Sequence, residues 1–169
     1  PPRAVKVPPG KDAEGLGFLT ASFREGTLIL RDRKGEHHQL VWVEEKPAAE
    51  AKAQQDRRRA LPPGDYTVAG YRIVRRDDQG MEWFVSATTA KLGQVVVKAA
   101  QEELVKIDET ITLNCTPQEA QGMLNIMALP MGHKHAGLTV YRDGKRIPLG
   151  YRVTDAADKV LASGNMAYS

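Results

Sequence analysis

The chain has 169 residues, with 24 Lys and Arg against 21 Asp and Glu, a formal net charge of +3, and a hydrophobic class of 41%. With 15 Gly added, the apolar share is that of an ordinary globular domain, which excludes collagen-like and wholly disordered chains. No uninterrupted apolar run approaches the roughly 20 residues of a membrane-spanning helix, and the basic residues are scattered among acidic neighbours, without the concentrated basic face that nucleic acid requires.

In chain order, Pro1 to Gly15 carries Pro and Gly but few large apolar residues, and is expected to be an extended leader, residues 1–15. From Leu16 the chain becomes a series of β-branched and aromatic runs divided by turn residues, the signature of strands. Leu16 to Phe23, Thr27 to Arg31 and Gln39 to Glu44 are the first three, with Asp32, Lys34 and Gly35 as a tight turn between the second and third. Leu40 and Trp42 oppose Val41 and Val43, so both faces of the third strand are expected to be covered. Pro47 to Arg59 differs: it is rich in Ala and Gln, acidic early and basic late, which suits the helix dipole. Lacking large apolar residues, it is expected to be an exposed short helix or mobile insertion over 47–60.

Strands resume beyond the turn at Leu61–Asp65: Tyr66 to Arg75, Glu82 to Ala87 after the Asp77–Gly80 turn, Val95 to Lys98, and Glu103 to Ile107. A helix over Ala99 to Lys106 is the local rival to the last of these, and the β-rich surroundings favour strand. Thr110 to Cys115 alternates Ile111 and Leu113 with polar residues, as a half-buried strand does. Met123 to Leu129, Leu138 to Arg142, Gly150 to Thr154 and Val160 to Tyr168 follow, with Asp143–Gly144 a strong hairpin signal and Asp155–Lys159 a looser one. About a dozen short strands at roughly 8-to-12-residue spacing point to an all-β, antiparallel β-sandwich. The break near 107 predicts two packed units, a larger one over 16–107 and a smaller one over 108–169.

Leu61-Pro62-Pro63-Gly64-Asp65-Tyr66-Thr67-Val68 resembles the strand entry of prealbumin-like and carboxypeptidase-regulatory-like modules of bacterial exported proteins. Ala136 to Arg146, Tyr151 to Val153 and Lys159 to Gly164 are similar to the last strands of Ig-like domains in secreted bacterial proteins, with Asp158 where those carry Gly. The resemblance implies an Ig-like or prealbumin-like sandwich in an extracytoplasmic (periplasmic or secreted) setting, and implies no activity.

The candidate chemistry is sparse. Met131, His133 and His135, with Met123 and Met127 upstream, offer imidazole and thioether donors of the kind copper accepts. Against that, a surface loop containing two histidines, with methionines filling the core, explains the same residues. Cys115, the only cysteine, excludes a disulfide framework and is expected to be a buried or half-buried inert thiol. Arg57, Arg58 and Arg59 are the candidate partner-binding cluster, the competing reading being a hydrated basic loop. No Gly-x-Ser-x-Gly elbow, His-Glu-x-x-His motif, phosphate loop or dinucleotide fingerprint occurs. The expectation is therefore no enzyme, no catalytic residue and no cofactor, but a non-catalytic structural or protein-binding module with a protein partner. The first alternative is a periplasmic copper-binding protein using His133, His135 and methionines. The second is a carbohydrate-binding sandwich, which needs Trp or Tyr exposed on a sheet face. Trp42 and Trp83 are assigned to the core.

Overall fold

A computed structural model describes residues 5–6, 15–43, 57–88 and 92–167, with backbone pairing alone given for 5–6. The expected helix or mobile insertion at 47–60 lies outside the described residues except for its last few, and the expected leader at 1–15 lies almost wholly outside them. The described chain is β throughout: β1 (Val5–Lys6), β2 (Gly17–Ala21), β3 (Gly26–Asp32), β4 (His37–Trp42), β5 (Arg59–Leu61), β6 (Gly64–Arg76), β7 (Glu82–Thr88), β8 (Gln94–Val97), β9 (Glu102–Val105), β10 (Thr112–Ala120), β11 (Met123–Met131), β12 (Thr139–Arg142), β13 (Lys145–Arg146), β14 (Gly150–Thr154) and β15 (Val160–Asn165). The single helical element among the described residues is a 3-10 turn at His133–His135. Residues 102–105 are strand, as expected over the rival helix.

Two sheets enclose the core. The larger runs β1-β4-β3-β6-β7-β12-β13, with β8 also paired to β6; the smaller runs β5-β2-β9. Alternation decides which side chains enter: Leu19 and Ala21 from β2, Leu28 and Leu30 from β3, Leu40 and Trp42 from β4, and Val95 and Val97 from β8 are buried. Trp42 is 1% exposed and meets Phe23 edge-on at 5.4 Å. Val43 is exposed, so the outward side of this strand's end is less covered than the run of apolar residues predicts.

The 13 residues of β6 serve two neighbours on one side, β8 through Gly64–Thr67 and β7 through Gly70–Arg76. On the other side its register against β3 shifts between Ile29 and Leu30, an inserted residue that bends the strand and changes side-chain phase. Tyr66 and Val68 therefore point inward before the bulge, and Tyr71 and Ile73 after it. Gly26 lets β3 approach β6, because a Cβ there would collide with the Arg72 carbonyl.

Three hairpin turns share one construction. Oδ1 of Asp32 accepts from the Lys34 and Glu36 amides, that of Asp77 from Gln79 and Met81, and that of Asp155 from Ala157 and Lys159. Each turn needs a left-handed residue three positions after the Asp, filled by Gly35 (φ 85), Gly80 (φ 77) and Asp158 (φ 60). Asp158 thus adopts the conformation its place in the turn demands, at a steric cost that glycine avoids.

The boundary expected near 107 is crossed by the hydrogen-bond network. β12 pairs antiparallel with β7 from Thr139↔Ser86 to Arg142↔Trp83, and Ala136 and Leu138 belong to the same core as Leu19 and Trp42. What does stand apart in 108–169 is a pair of two-stranded sheets, β10–β11 and β14–β15.

Candidate interaction surface

The β10–β11 hairpin pairs nine residues with nine, from Thr112↔Met131 to Ala120↔Met123. Gln121 (φ 53) and Gly122 (φ 73) form the two-residue turn that matches strand twist. Because cross-strand partners share a face, Met123, Met127, Leu129 and Met131 lie on one side of the ribbon, and Leu113, Pro117, Leu124, Ile126 and Pro130 on the other. Both faces therefore carry apolar side chains, most of them from β11. A ribbon with that pattern reads as the inside of a sheet packed on both sides, yet Leu113 is 58%, Leu124 59% and Met127 64% exposed. Two corrections follow. The strand expected half-buried at Thr110 to Cys115 is exposed, and the methionines expected in the core, Met123 and Met127, stand in solvent, because no third strand or second layer covers this ribbon among the described residues. Cys115, expected to be buried or half-buried, is exposed on β10 for the same reason. The second hairpin repeats the theme with Tyr151, Val160 and Leu161 exposed.

The arginine cluster is turned toward its own protein. Arg57 donates to the Ala21 and Phe23 carbonyls at 3.1 and 2.6 Å, and the Trp42 indole Nε1 donates to the Arg57 carbonyl at 2.7 Å. Arg58 lies over the Phe18 ring at 4.9 Å. Arg59 donates from Nε to the Val41 carbonyl at 2.8 Å and covers Trp42. All three are half-buried and tie β5 to the ends of β2 and β4, where the sequence offered a partner site or a hydrated loop.

The His133–His135 turn holds two left-handed residues in succession, Lys134 (φ 51) and His135 (φ 58). His133 accepts at Nδ1 from the Asp108 amide at 3.1 Å. Its own amide donates to the Tyr71 hydroxyl at 3.2 Å. Burial pushes the imidazole below its ordinary value, Lys134 adds to this, and Asp108 opposes it. The ring thus joins the loop before β10 to the turn after β11, while His135 is exposed. A separate triad, Asp32, Glu36 and His38, brings ligand atoms within 4.8 Å of one another. Asp32 is already engaged there, with Oδ1 in the turn and Oδ2 3.1 Å from His38 Nε2. The His38 hydrogen bond leads the causes that hold its carboxyl below the usual range.

On the outer face of the larger sheet, Phe84 and Tyr141 stack at 4.4 Å and Arg72 lies 3.6 Å over Phe84. These rings are half-buried and stand face to face, which removes the flat open ring that stacking on a sugar uses. Trp83 is half-buried too and outside the main core; its Nε1 donates to Asp77 at 2.9 Å and Arg142 lies over the ring. No helix of the described residues is long and apolar enough to cross a membrane. Comparison with family models, curated proteins and solved structures finds no match to this chain. Sequence reasoning places strands at both arms of this ribbon but misses it as an exposed surface, although one signal is there: residues 123–131 carry no charge and place apolar side chains at both parities.

Proposed function

We propose that this chain is a protein-binding β-sandwich module, non-catalytic and extracytoplasmic, whose docking element is the β10–β11 hairpin. The observation that carries the binding role is a nine-by-nine ribbon with apolar side chains exposed on both faces. An isolated two-stranded hairpin is marginal in water, and large exposed apolar patches mark interaction sites. A polypeptide partner supplies both missing components, strand pairing and apolar cover. The extracytoplasmic setting rests on the resemblance of the 61–68 and 136–164 stretches alone. The test is affinity capture with the purified chain and with a Leu124→Lys/Met127→Lys variant. The expected result is polypeptide retained by the first and lost by the second, at unchanged melting temperature because both residues lie outside the core. Equal retention by both, or retention of no polypeptide by either, a second copy of this chain included, overturns the reading.

A further inference from the structure

We propose that the open edge of β11 pairs antiparallel with β11 of a second copy of this chain, about a two-fold axis at Ile126; this rests on the hairpin being a docking element and names its partner. In a hairpin closed by a two-residue turn, the flanking pair Ala120↔Met123 exchanges hydrogen bonds, and alternate residues then point their backbone groups outward. On β11 those residues are Leu124, Ile126, Ala128 and Pro130. The Pro130 carbonyl confirms the parity: it accepts outward from the Leu138 amide at 2.8 Å. Beyond that bond, toward the turn, Leu124, Ile126 and Ala128 present an edge with which no strand pairs among the described residues.

The two edges of the hairpin differ in protection. On β10 the outward positions include Pro117, which has no N–H to offer, and Glu119, the devices that blunt sheet edges. On β11, residues 123–131 have no charged side chain, and the outward positions 124, 126 and 128 have no proline. β15 is also uncharged, but Ser163, Gly164 and Asn165 leave it little apolar side chain.

A strand added to β11 must be uncharged and apolar on both faces, since each of its faces continues a face of the ribbon. β11 itself meets that description. Its neutral edge sets up no charge repulsion against its own copy, despite a net charge of +3 on the whole chain. The outward positions are symmetric about Ile126, so a two-fold axis pairs Ile126 with its equivalent and Leu124 with the partner's Ala128. It also places Met123 and Met127 of both copies on one face of a four-stranded sheet. Such a self-complementary contact closes as a dimer.

Sedimentation velocity on the full chain, together with spin-label distances at the native Cys115, tests this. The expected result is a dimer whose two Cys115 Cα atoms lie about 20 Å apart, from strand spacing and rise. Ile126→Lys puts a charge on the edge, and Ala128→Pro removes an outward N–H while sparing the bonds within the hairpin. Both are expected to give monomers with unchanged melting temperature, and Glu119→Gln on the far edge is expected to remain dimeric. A monomeric mass throughout the soluble range overturns self-pairing, as does a dimer indifferent to Ile126→Lys or with a clearly different Cys115 separation. Retention of another polypeptide in the capture experiment by a monomeric chain separates failure of this proposal from failure of the binding role.

Discussion

Strands β2 to β9 and the C-terminal hairpins carry the same kinds of apolar side chain and finish in opposite environments. Leu40 in β4 and Leu124 in β11 make the contrast concrete: the first is fully buried between two sheets, the second more than half exposed on a two-stranded ribbon. A strand's pattern supplies a face that can be covered, and only a second layer covers it. Burial is also what converts side chains into stability, so the two regions are expected to respond very differently to the same chemical change.

Trp42→Ala is the largest expected break, since it empties a filled site and removes the indole that donates to Arg57. About 3–5 kcal/mol should be lost in urea unfolding, and a loss below 1 kcal/mol would show that the sheets do not share a core as described. Arg57→Ala comes next. It strips the Ala21 and Phe23 carbonyls of their donor, for an expected loss of about 1–3 kcal/mol. A neutral result would return this residue to the category of solvated surface charge.

A smaller effect should follow pH at the seam between core and hairpin. The folded His133 is held below the ordinary imidazole value near 6.5, chiefly by burial. The unfolded chain therefore binds the proton more readily. The contribution is fully present above about pH 6.5 and is lost as pH falls through that value toward the lower folded one. Proton binding at Nδ1 also abolishes the acceptor for the Asp108 amide. His133→Gln should flatten this part of the stability profile, and an unchanged profile would remove the ring from its role as a link. Asp158→Gly should stabilise by about 1 kcal/mol at most, relieving the left-handed residue of the third Asp-headed turn. At the small end, Leu124→Ala with Met127→Ala should change the stability of the isolated chain by less than about 0.5 kcal/mol. Hydrogen exchange sharpens the same contrast: β10–β11 amides should exchange far faster than those of β3 and β6.

Much of the scaffold was legible from sequence because its signals are local. Alternation in β2, β3 and β8, the Asp32 and Asp77 turns, and the Asp143–Gly144 turn all act within a few residues, and the structure contains each of them. Even the odd residue Asp158 marked a position where glycine suits the backbone. The roles of Arg57, Arg58 and Arg59 were not legible, because the carbonyls and rings they meet lie on β2 and β4. Nor was the state of Met123, Met127 and Cys115: alternation states which side chains share a face and is silent on what lies over that face.

Periodicity and turn chemistry in the sequence alone thus determined that the described chain is all β and where most of its strands lie, since backbone sterics and side-chain alternation operate at short range. Tertiary structure decided which strands became neighbours. It joined β12 to β7 across the expected boundary, turned the arginines inward, and left the β10–β11 ribbon uncovered. Those outcomes depend on pairing and layering between segments far apart in the chain, and no local pattern encodes them.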